Sequence, residues 1–296
     1  YTSQYTLSLH DALPISALRK AGLVDALSAA GQRVHDHGDL AGPRHPGGPI
    51  VAGHRHQAEA VAWCRAVRAA VTDSLAAAEL PVLLGGDHAA AIGSIAAVAR
   101  HCRATERPLY VLWLDAHADF NTAATSPSGN IHGMALAVAC GLGHPDLVAL
   151  GGAVPMVDPR AVFQVGARSI DVLERHNLRE RPVTVRAMRE VRERGLDGVI
   201  AEVLSAVGEV GGHLHVSLDL DFVDPVDAPG VGTPEPGGPS AAEALACMEG
   251  IRASRLLGSL DVVELDPTRD RGSRTAALAV AMVAGLLREQ AMNQTG

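Results

Sequence analysis

The stretch LYVLWLDAHAD at residues 109–119 gives the clearest indication of the fold. Its first six residues are an unbroken apolar run, which is typical of a parallel strand covered by helices on both faces. Asp115, His117 and Asp119 follow at a spacing of two. If the backbone stays extended, two carboxylates and one imidazole project to the same side of the strand end. This stretch therefore predicts a buried strand that ends in a cluster of ligands.

Three more pieces of sequence repeat this arrangement of an apolar run followed by polar residues. Residues 213–218 lead to Asp219 and Asp221 with the same parity, and residues 81–84 lead through a Gly-Gly turn to His88. A run ending at residue 263 leads to Glu264. Ligands in parallel α/β sheets bind at the carboxyl ends of the strands, so we expect the four pieces to meet there.

Four Asp and two His residues make a hard, oxygen-rich ligand set. Such a set favours Mn²⁺, Fe²⁺ or another divalent metal that tolerates carboxylates, and two ions are needed to balance four carboxylates. Taken singly, Gly-Gly-Asp-His is more typical of a turn and helix cap, and Asp-x-Asp of a strand end that meets solvent. Their occurrence together, each after a strand-like run, indicates a two-metal hydrolytic site. The predicted ligands are His88, Asp115, His117, Asp119, Asp219 and Asp221.

Strand-like and helical patterns alternate along the rest of the chain. We predict strands near 32–37, 81–84, 109–114, 161–165, 213–218 and 259–264. We predict helices near 17–30, 56–80, 89–102, 132–140, 194–208, 240–254 and 274–289, and solvated faces for the Arg- and Glu-rich residues 174–194. Alternation of this kind predicts a single-domain, three-layer α/β/α fold with a mainly parallel sheet.

Bulk composition narrows the class of protein. The 296 residues are enough for one large α/β domain, and a net charge of −8 argues against nucleic-acid or anionic-membrane partners. No apolar run approaches the roughly 20 residues that cross a bilayer, and no secretion signal is indicated. The four cysteines form no Cys-x-x-Cys pair, which is typical of small buried residues in a reducing cytoplasm.

Other histidines lack a partner cluster in the sequence. We expect His35, His37, His54 and His56 to be surface residues. His213 and His215 lie on the strand that leads to Asp219, where packing or a satisfied hydrogen bond is the expected role.

On the evidence of these residues, the chain resembles the ureohydrolase superfamily and, within it, the bacterial arginases. The most discriminating stretch is DAHADFNTAATSPSGNIHG at 115–133, because its loop differs from the corresponding loop of agmatinases. Supporting matches are VGARSID at 165–171, SLDLDFVDP at 217–225, APGVGTP at 228–234 and SLDVVELDP at 259–267. The resemblance runs from about residue 17 to the C-terminus, and it implies a cytoplasmic homotrimer or homohexamer that holds two Mn²⁺ per subunit.

The resemblance also implies roles for individual residues. His88, Asp115, Asp119 and Asp219 would hold one Mn²⁺, and Asp115, His117, Asp219 and Asp221 the other. A metal-bridging hydroxide would cleave the guanidinium of L-arginine to give L-ornithine and urea. Glu264 would orient the guanidinium, Asp119 would also hold the hydroxide, and His132 would relay a proton. From its pattern alone, His132 is a residue at a helix N-terminus with no such duty.

Substrate selectivity is implied for a further set of polar residues. Asn121, Ser126 and Ser128 would contact the α-carboxylate, Asp171 with Glu174 the α-amino group, and Thr233 the metal end of the pocket. Short hydroxyl and amide side chains discriminate between ligands more than they contribute affinity.

The first 16 residues, YTSQYTLSLHDALPIS, differ in composition from the rest of the chain. They hold two of the three tyrosines and five Ser or Thr, and they resemble translated sequencing-adapter sequence. We interpret residues 1–16 as non-native and residues 17–296 as an arginase-like catalytic domain without the first strand that the family usually has.

Several alternatives remain open from the sequence. The substrate could be agmatine or another guanidino or amidino compound. The chain could resemble the deacetylase relatives that use one zinc, although His88, Asp119 and Asp221 oppose this. It could also be a silent subunit that binds arginine or ornithine, or an inactive truncated form.

Overall fold

The computed structural model describes residues 13–43 and 49–289. Within these residues, six parallel strands form one sheet in the order β1-β6-β5-β2-β3-β4. The strands are β1 Val82–Leu84, β2 Leu109–Leu114, β3 Val162–Val165, β4 Thr184–Arg186, β5 His213–Asp219 and β6 Leu257–Val263. The prediction of an α/β fold with a parallel sheet is confirmed.

Within the described part of the chain, the helices before β3 are α1 Leu13–Lys20, α2 Leu23–Ala29, α3 Gln57–Ala76, α4 Ala90–Ala104, α5 Ala135–Ala139 and α6 Pro145–Val148. Those after it are α7 Val172–Arg179, α8 Met188–Arg194, α9 Leu196–Glu209, α10 Ala241–Ser254 and α11 Arg274–Leu287. Short 3-10 turns at His132–Met134, Pro159–Ala161, Leu220–Phe222 and Arg271–Ser273 complete the set. None of these described helices combines the length and the apolar character that a membrane span needs.

The central strand β2 shows why the sheet has two covered faces. Leu112 and Leu114 pack with residues of α9, α10 and α11, whereas Val111 and Trp113 pack with residues of α3, α4 and α5. All four side chains are fully buried. Because consecutive strand residues point to opposite faces, an apolar run without alternation requires a helix layer on each face.

Several sequence predictions were wrong in detail. Residues 32–37 are irregular rather than a strand, and they are held by side-chain bonds such as Gln32 to the carbonyl of Leu287 and Asp36 to Arg19. The predicted helix 17–30 is two helices, because Gly22 adopts a left-handed φ of 85° between them. His35 and His37 are exposed as expected, with side-chain exposures of 70% and 60%.

The Arg- and Glu-rich residues 174–194 are more ordered than predicted. They supply most of α7, the edge strand β4 and α8, and they bury Glu174, Leu178, Met188 and Val191. The expected solvated faces are present, since charged residues such as Arg175, Arg189 and Arg192 are exposed, but the buried positions were not predicted. The apolar residues that pack on the sheet are few in this stretch, and the many charged residues between them hide their pattern in the sequence.

The N-terminal segment is only partly described. Residues 1–12 lie outside the described residues, and α1 begins at Leu13 with Pro14 and Leu18 buried. Residues 13–16 thus form the first half of a packed helix. The interpretation of residues 1–16 as non-native, and of a missing first strand, stays a prediction.

Gly93 allows α3 and α4 to approach each other closely. A Cβ at this position would clash with the carbonyl oxygen of Cys64 and lie 2.9 Å from Cβ of Val67. We expect Gly93→Ala to lower the free energy of unfolding by about 1–3 kcal/mol, because an overpacked backbone contact must be relieved by moving a helix. Urea denaturation measures this change.

Gly250 is the matched control, since it lies within α10 and a Cβ added there would meet no heavy atom within 4 Å. Gly250→Ala should raise the free energy of unfolding by about 0.5–1 kcal/mol through helix propensity. Equal effects of the two substitutions would contradict the close-packing explanation.

Candidate active site

One cluster centres on the buried imidazole of His88. Its Nδ1 lies 3.0 Å from Oδ2 of Asp115, 3.1 Å from Oδ2 of Asp119 and 3.3 Å from Oδ2 of Asp219. Nδ1 is buried and makes no hydrogen bond of acceptable geometry, although three oxygens surround it. A nitrogen in such surroundings has the environment of a metal ligand rather than of a hydrogen-bond donor.

A second cluster adjoins the first and shares Asp115 with it. Nδ1 of His117 lies 2.9 Å from Oδ2 of Asp221 and 3.5 Å from Oδ1 of Asp115. The donor atoms of His88, Asp115 and Asp219, and those of Asp115, His117 and Asp221, lie close enough within each trio to hold an ion. The six predicted ligands are therefore brought together as two adjacent groups.

The strand ends position these ligands, but not by extended backbone throughout. The chain bends at Ala116 after β2, and His117 then forms an isolated parallel bridge with Ser169. Asp119 then turns, with a left-handed φ of 48°. Asp219 is the last residue of β5, and its Oδ1 accepts a 2.7 Å hydrogen bond from the backbone N–H of Asp221, which starts a 3-10 turn. The assumption of a continued strand was wrong at both ends, although the carboxylates still converge.

The carboxylates of this cluster repel one another. Burial, followed by the charges of Asp221 and Asp115, raises the pKa of Asp219 well above its usual range. Burial and the charge of Asp115 raise the pKa of Asp119 to about 7. Crowded, buried carboxylates need a compensating positive charge in order to stay ionised together, and divalent cations supply it. The donor set thus fits divalent metal ions.

Side chains behind the ligands hold them in place. The ring of His88 stacks on Trp113 at 3.8 Å between centroids, and its Nε2 lies 2.9 Å from Oγ of Ser217. Nε1 of Trp113 donates to Oδ2 of Asp115 at 2.9 Å. Gln164 donates from Nε2 to the backbone carbonyl oxygens of His117 and Asp115, at 2.8 and 3.2 Å.

Arg168 holds the loops that follow β5. Its guanidinium donates to the carbonyl oxygens of Asp221 and Phe222, at 2.7 and 3.2 Å, and to that of Glu235 at 2.8 Å. Sequence reasoning missed this residue together with Trp113, Gln164 and Ser217. Arg168 lies within the VGARSID match and could have been found there, whereas the other three are ordinary residues in strands.

Glu264 and His132 form a hydrogen-bonded pair next to the His88 cluster. Oε1 of Glu264 lies 3.1 Å from Nδ1 of His132 and accepts a 2.9 Å bond from the backbone N–H of His88. Burial by itself lowers the pKa of His132, but the bond to Glu264 and the neighbouring carboxylates outweigh it and raise that pKa to about 9. Burial acts to raise the pKa of Glu264, and the bond from His132 outweighs it and lowers the pKa.

A cavity of about 150 Å³ opens onto the cluster. His117, Asp119, Asp219 and Glu264 line one part of it, and residues of the segments that follow β2, β3 and β5 line the rest. The remaining lining residues are Asn121, Ser126, Pro127, Ser128, His132, Gly133, Ser169, Asp171, Glu174 and Thr233. All six substrate-contact residues expected from the sequence lie on its wall. Pro127, Gly133 and Ser169 also line the cavity and were not predicted.

The polar residues of the wall are already organised by hydrogen bonds. Nδ2 of Asn121 donates to Oδ2 of Asp171 at 3.0 Å, and Thr233 donates to Oδ2 of Asp221 at 3.3 Å. Both oxygens of Glu174 accept from backbone N–H groups, those of Phe120 and Asp171, at 2.8 and 3.0 Å. Glu174 therefore fastens the loop after β2 to the start of α7.

The histidines outside the site have mixed outcomes. His213 and His215 are buried and hydrogen-bonded, as expected. His54 is only 7% exposed and packs perpendicular to the ring of His144 at 5.5 Å between centroids, so its assignment to the surface was wrong. The loop carrying His54 folds against the start of α6, which no local pattern indicated.

Comparison with known proteins places this geometry in a family. The arginase family model matches residues 15–288. The arginase of Bacillus caldovelox is 40% identical over 287 residues, which cover 94% of this chain and 92% of that protein. Its crystal structure superposes with a TM-score of 0.89 at 38% identity, covering 95% of this chain and 93% of that one.

A second solved structure agrees with the first. The arginase of Bacillus subtilis gives a TM-score of 0.87 at 38% identity, with the same 95% and 93% coverage. Matches of this extent cover the sheet, the ligand-bearing strand ends and the cavity together. The chain belongs to the arginase family.

Proposed function

We propose that this chain hydrolyses L-arginine to L-ornithine and urea, and that it does so with two Mn²⁺ ions. The observation that carries the proposal is the cavity, whose wall joins the carboxylate–histidine cluster to a separate polar rim. A cationic guanidinium suits the acidic part of the cavity, and a zwitterionic amino-acid end suits the rim of short polar side chains. Family membership and the relatives named arginase support the same substrate.

The candidate ligands are His88, Asp115, Asp119 and Asp219 for one ion and Asp115, His117, Asp219 and Asp221 for the other. Hard oxygen donors and two imidazoles suit Mn²⁺. When bound, such a pair of ions supplies a water molecule of lowered pKa, which a delocalised and weakly electrophilic guanidinium requires as its nucleophile.

The residues of the chain then have distinct tasks. Glu264, held by His132 and the backbone of His88, presents a carboxylate that orients the guanidinium. Asp119 accepts a hydrogen bond from the attacking water and so directs it. As the water oxygen bonds to the guanidinium carbon, it gives up its two protons, and the bond from this carbon to the chain nitrogen of the substrate breaks. The departing nitrogen takes up two protons to leave as an ammonium group. His132 donates one of them and is reprotonated by a proton that the water released.

The rim gives the basis for choosing an amino acid. Asn121, Ser126 and Ser128 offer neutral donors to an α-carboxylate, and Asp171 offers a carboxylate to an α-amino group. Glu174 supports Asp171 and Phe120 through the backbone, and Thr233 lies beside Asp221 at the metal end. A substrate without the α-carboxylate leaves the three neutral donors unused.

Two further properties are proposed on grounds of composition and family. A cytoplasmic location is supported by four cysteines that are all free and buried. A homotrimer or homohexamer follows from the resemblance, and sedimentation analysis would test it.

The first test compares substrates. After loading with Mn²⁺, the protein should release urea from L-arginine with a kcat/KM well above that for agmatine, because agmatine lacks the carboxylate that the rim is proposed to bind. Urea release measures both reactions under the same conditions. A preference for agmatine would overturn the assignment of L-arginine.

A second test separates metal binding from proton transfer. His132→Ala should lower kcat by about 10²–10⁴-fold, the usual contribution of a general acid, while the Mn²⁺ content stays unchanged. Asp119→Ala should lose Mn²⁺ affinity as well as activity. Elemental analysis and steady-state kinetics distinguish the two variants.

His176→Ala is the control for that pair, because His176 is an exposed residue of α7. It should leave both Mn²⁺ content and kcat unchanged. Loss of Mn²⁺ from His132→Ala, to the same degree as from Asp119→Ala, would contradict the separate role of His132.

A further inference from the structure

A line of buried polar side chains runs along one face of β5 and β6, behind the site. On β5 these are His213, His215 and Ser217, and on β6 they are Ser259 and Asp261. Each is at most 3% exposed. His215 is paired with Ser259 across the two strands, and Ser217 with Asp261, so the side chains lie side by side. Polar groups in this position need partners among themselves.

Asp261 is the acceptor at the centre of this line. Its Oδ1 accepts from Oγ of Ser94 at 2.6 Å. Its Oδ2 lies 3.0 Å from Nε2 of His215 and 3.4 Å from Oγ of Ser217. An ionised carboxylate only accepts hydrogen bonds, so all three partners direct a hydrogen toward Asp261.

This requirement fixes the orientation of Ser217. A serine hydroxyl has one hydrogen, and Ser217 directs it to Asp261. Its oxygen is then an acceptor for the 2.9 Å contact with Nε2 of His88. Nε2 of His88 therefore carries a hydrogen. In the neutral ring, the lone pair is then on Nδ1, which faces Asp115, Asp119 and Asp219.

The hydrogen bonds that link His213, Ser259 and His215 also donate in the direction of Asp261. Nε2 of His215 donates to Asp261, so Nδ1 of His215 accepts from Oγ of Ser259 at 2.8 Å. Ser259 in turn accepts from Nε2 of His213 at 3.0 Å. Burial and the neighbouring His215 lower the pKa of His213 to about 3, which leaves its ring neutral. A single hydrogen on each of the two imidazole rings therefore satisfies all of these hydrogen bonds.

We infer that Asp261 is a positioning residue for the metal centre, which sets the tautomer of His88 through Ser217 without touching metal or substrate. Its negative charge orients the Ser217 hydroxyl, and the hydroxyl orients the imidazole. Hydrogen-bond partners behind a metal-binding histidine fix its ring and raise its basicity, and their loss commonly weakens metal affinity by about 10–100-fold. This role of Asp261 rests on the metal site of the proposed function.

The test is a titration of the full chain with Mn²⁺ in the absence of substrate. Electron paramagnetic resonance measures the concentration of unbound Mn²⁺. Asp261→Val removes the acceptor at similar volume and should weaken Mn²⁺ affinity by about 10–100-fold. Asp261→Asn keeps an acceptor oxygen without the charge and should recover part of the loss. A purely structural role predicts no such graded recovery of affinity.

A double-mutant cycle shows whether Asp261 acts through Ser217. Ser217→Ala should weaken Mn²⁺ affinity, and adding Asp261→Val to it should cause little further loss, because the link is already broken. Ser259→Ala is the matched control, since it breaks the His213 branch and leaves Asp261 in place, and it should stay within about twofold of the unaltered protein.

Three results of these titrations would overturn the inference. These are unchanged Mn²⁺ affinity in Asp261→Val, fully additive losses in the cycle, and failure of the unaltered protein to bind Mn²⁺, which would remove the metal site as well. None of them depends on whether the substrate is L-arginine.

If Asp261→Val does not fold, a measurement on the unaltered protein tests the direction of the hydrogen bonds to Asp261. ¹⁵N NMR should find His215 with hydrogen on Nε2 and a bare Nδ1. Hydrogen on Nδ1 with a bare Nε2 would show that His215 does not donate to Asp261, and the direction of the whole line would be wrong.

Discussion

The mutual repulsion of four buried carboxylates is the constraint that governs the site. Asp115, Asp119, Asp219 and Asp221 come from the ends of two neighbouring strands, and each is at most 7% exposed. In the low-dielectric interior, such charges raise one another's pKa unless positive charge compensates them. Two divalent ions are proposed to supply this positive charge, with the two imidazoles as neutral ligands. The balance then leaves Glu264 free to face a cationic substrate.

The backbone is strained where this cluster is assembled. Asp119 and Glu264 adopt left-handed φ values of 48° and 66°, which cost on the order of 1–3 kcal/mol each for residues with side chains. Hydrogen bonds hold both in place, because the carbonyl of Asp119 accepts from Leu136 and Ala137 and the N–H of Glu264 donates to Gly86. The strain therefore aims a carboxylate from each strand end into the cavity.

The sheet and the ligand cluster could be predicted well from the sequence because apolar runs that end in charged residues leave few alternatives. β2 was predicted at Leu109–Leu114 as observed, whereas the three-residue edge strand β4 was hidden among charges. The strand predicted at 32–37 was wrong because side-chain contacts, rather than a neighbouring strand, order that segment. The turn at Asp119 and the burial of His54 depend on contacts with residues distant in the sequence. Local sequence patterns do not indicate such contacts.

The number of metal ions that the cluster holds is the decisive quantity for the two-metal site. Anomalous diffraction from crystals of the full chain loaded with Mn²⁺, together with elemental analysis, measures both count and position. We predict two Mn²⁺ per chain, one beside Nδ1 of His88 and one beside Nδ1 of His117. A single ion per chain would contradict this prediction and favour the one-metal chemistry of the deacetylase relatives, and an empty cluster would contradict it altogether.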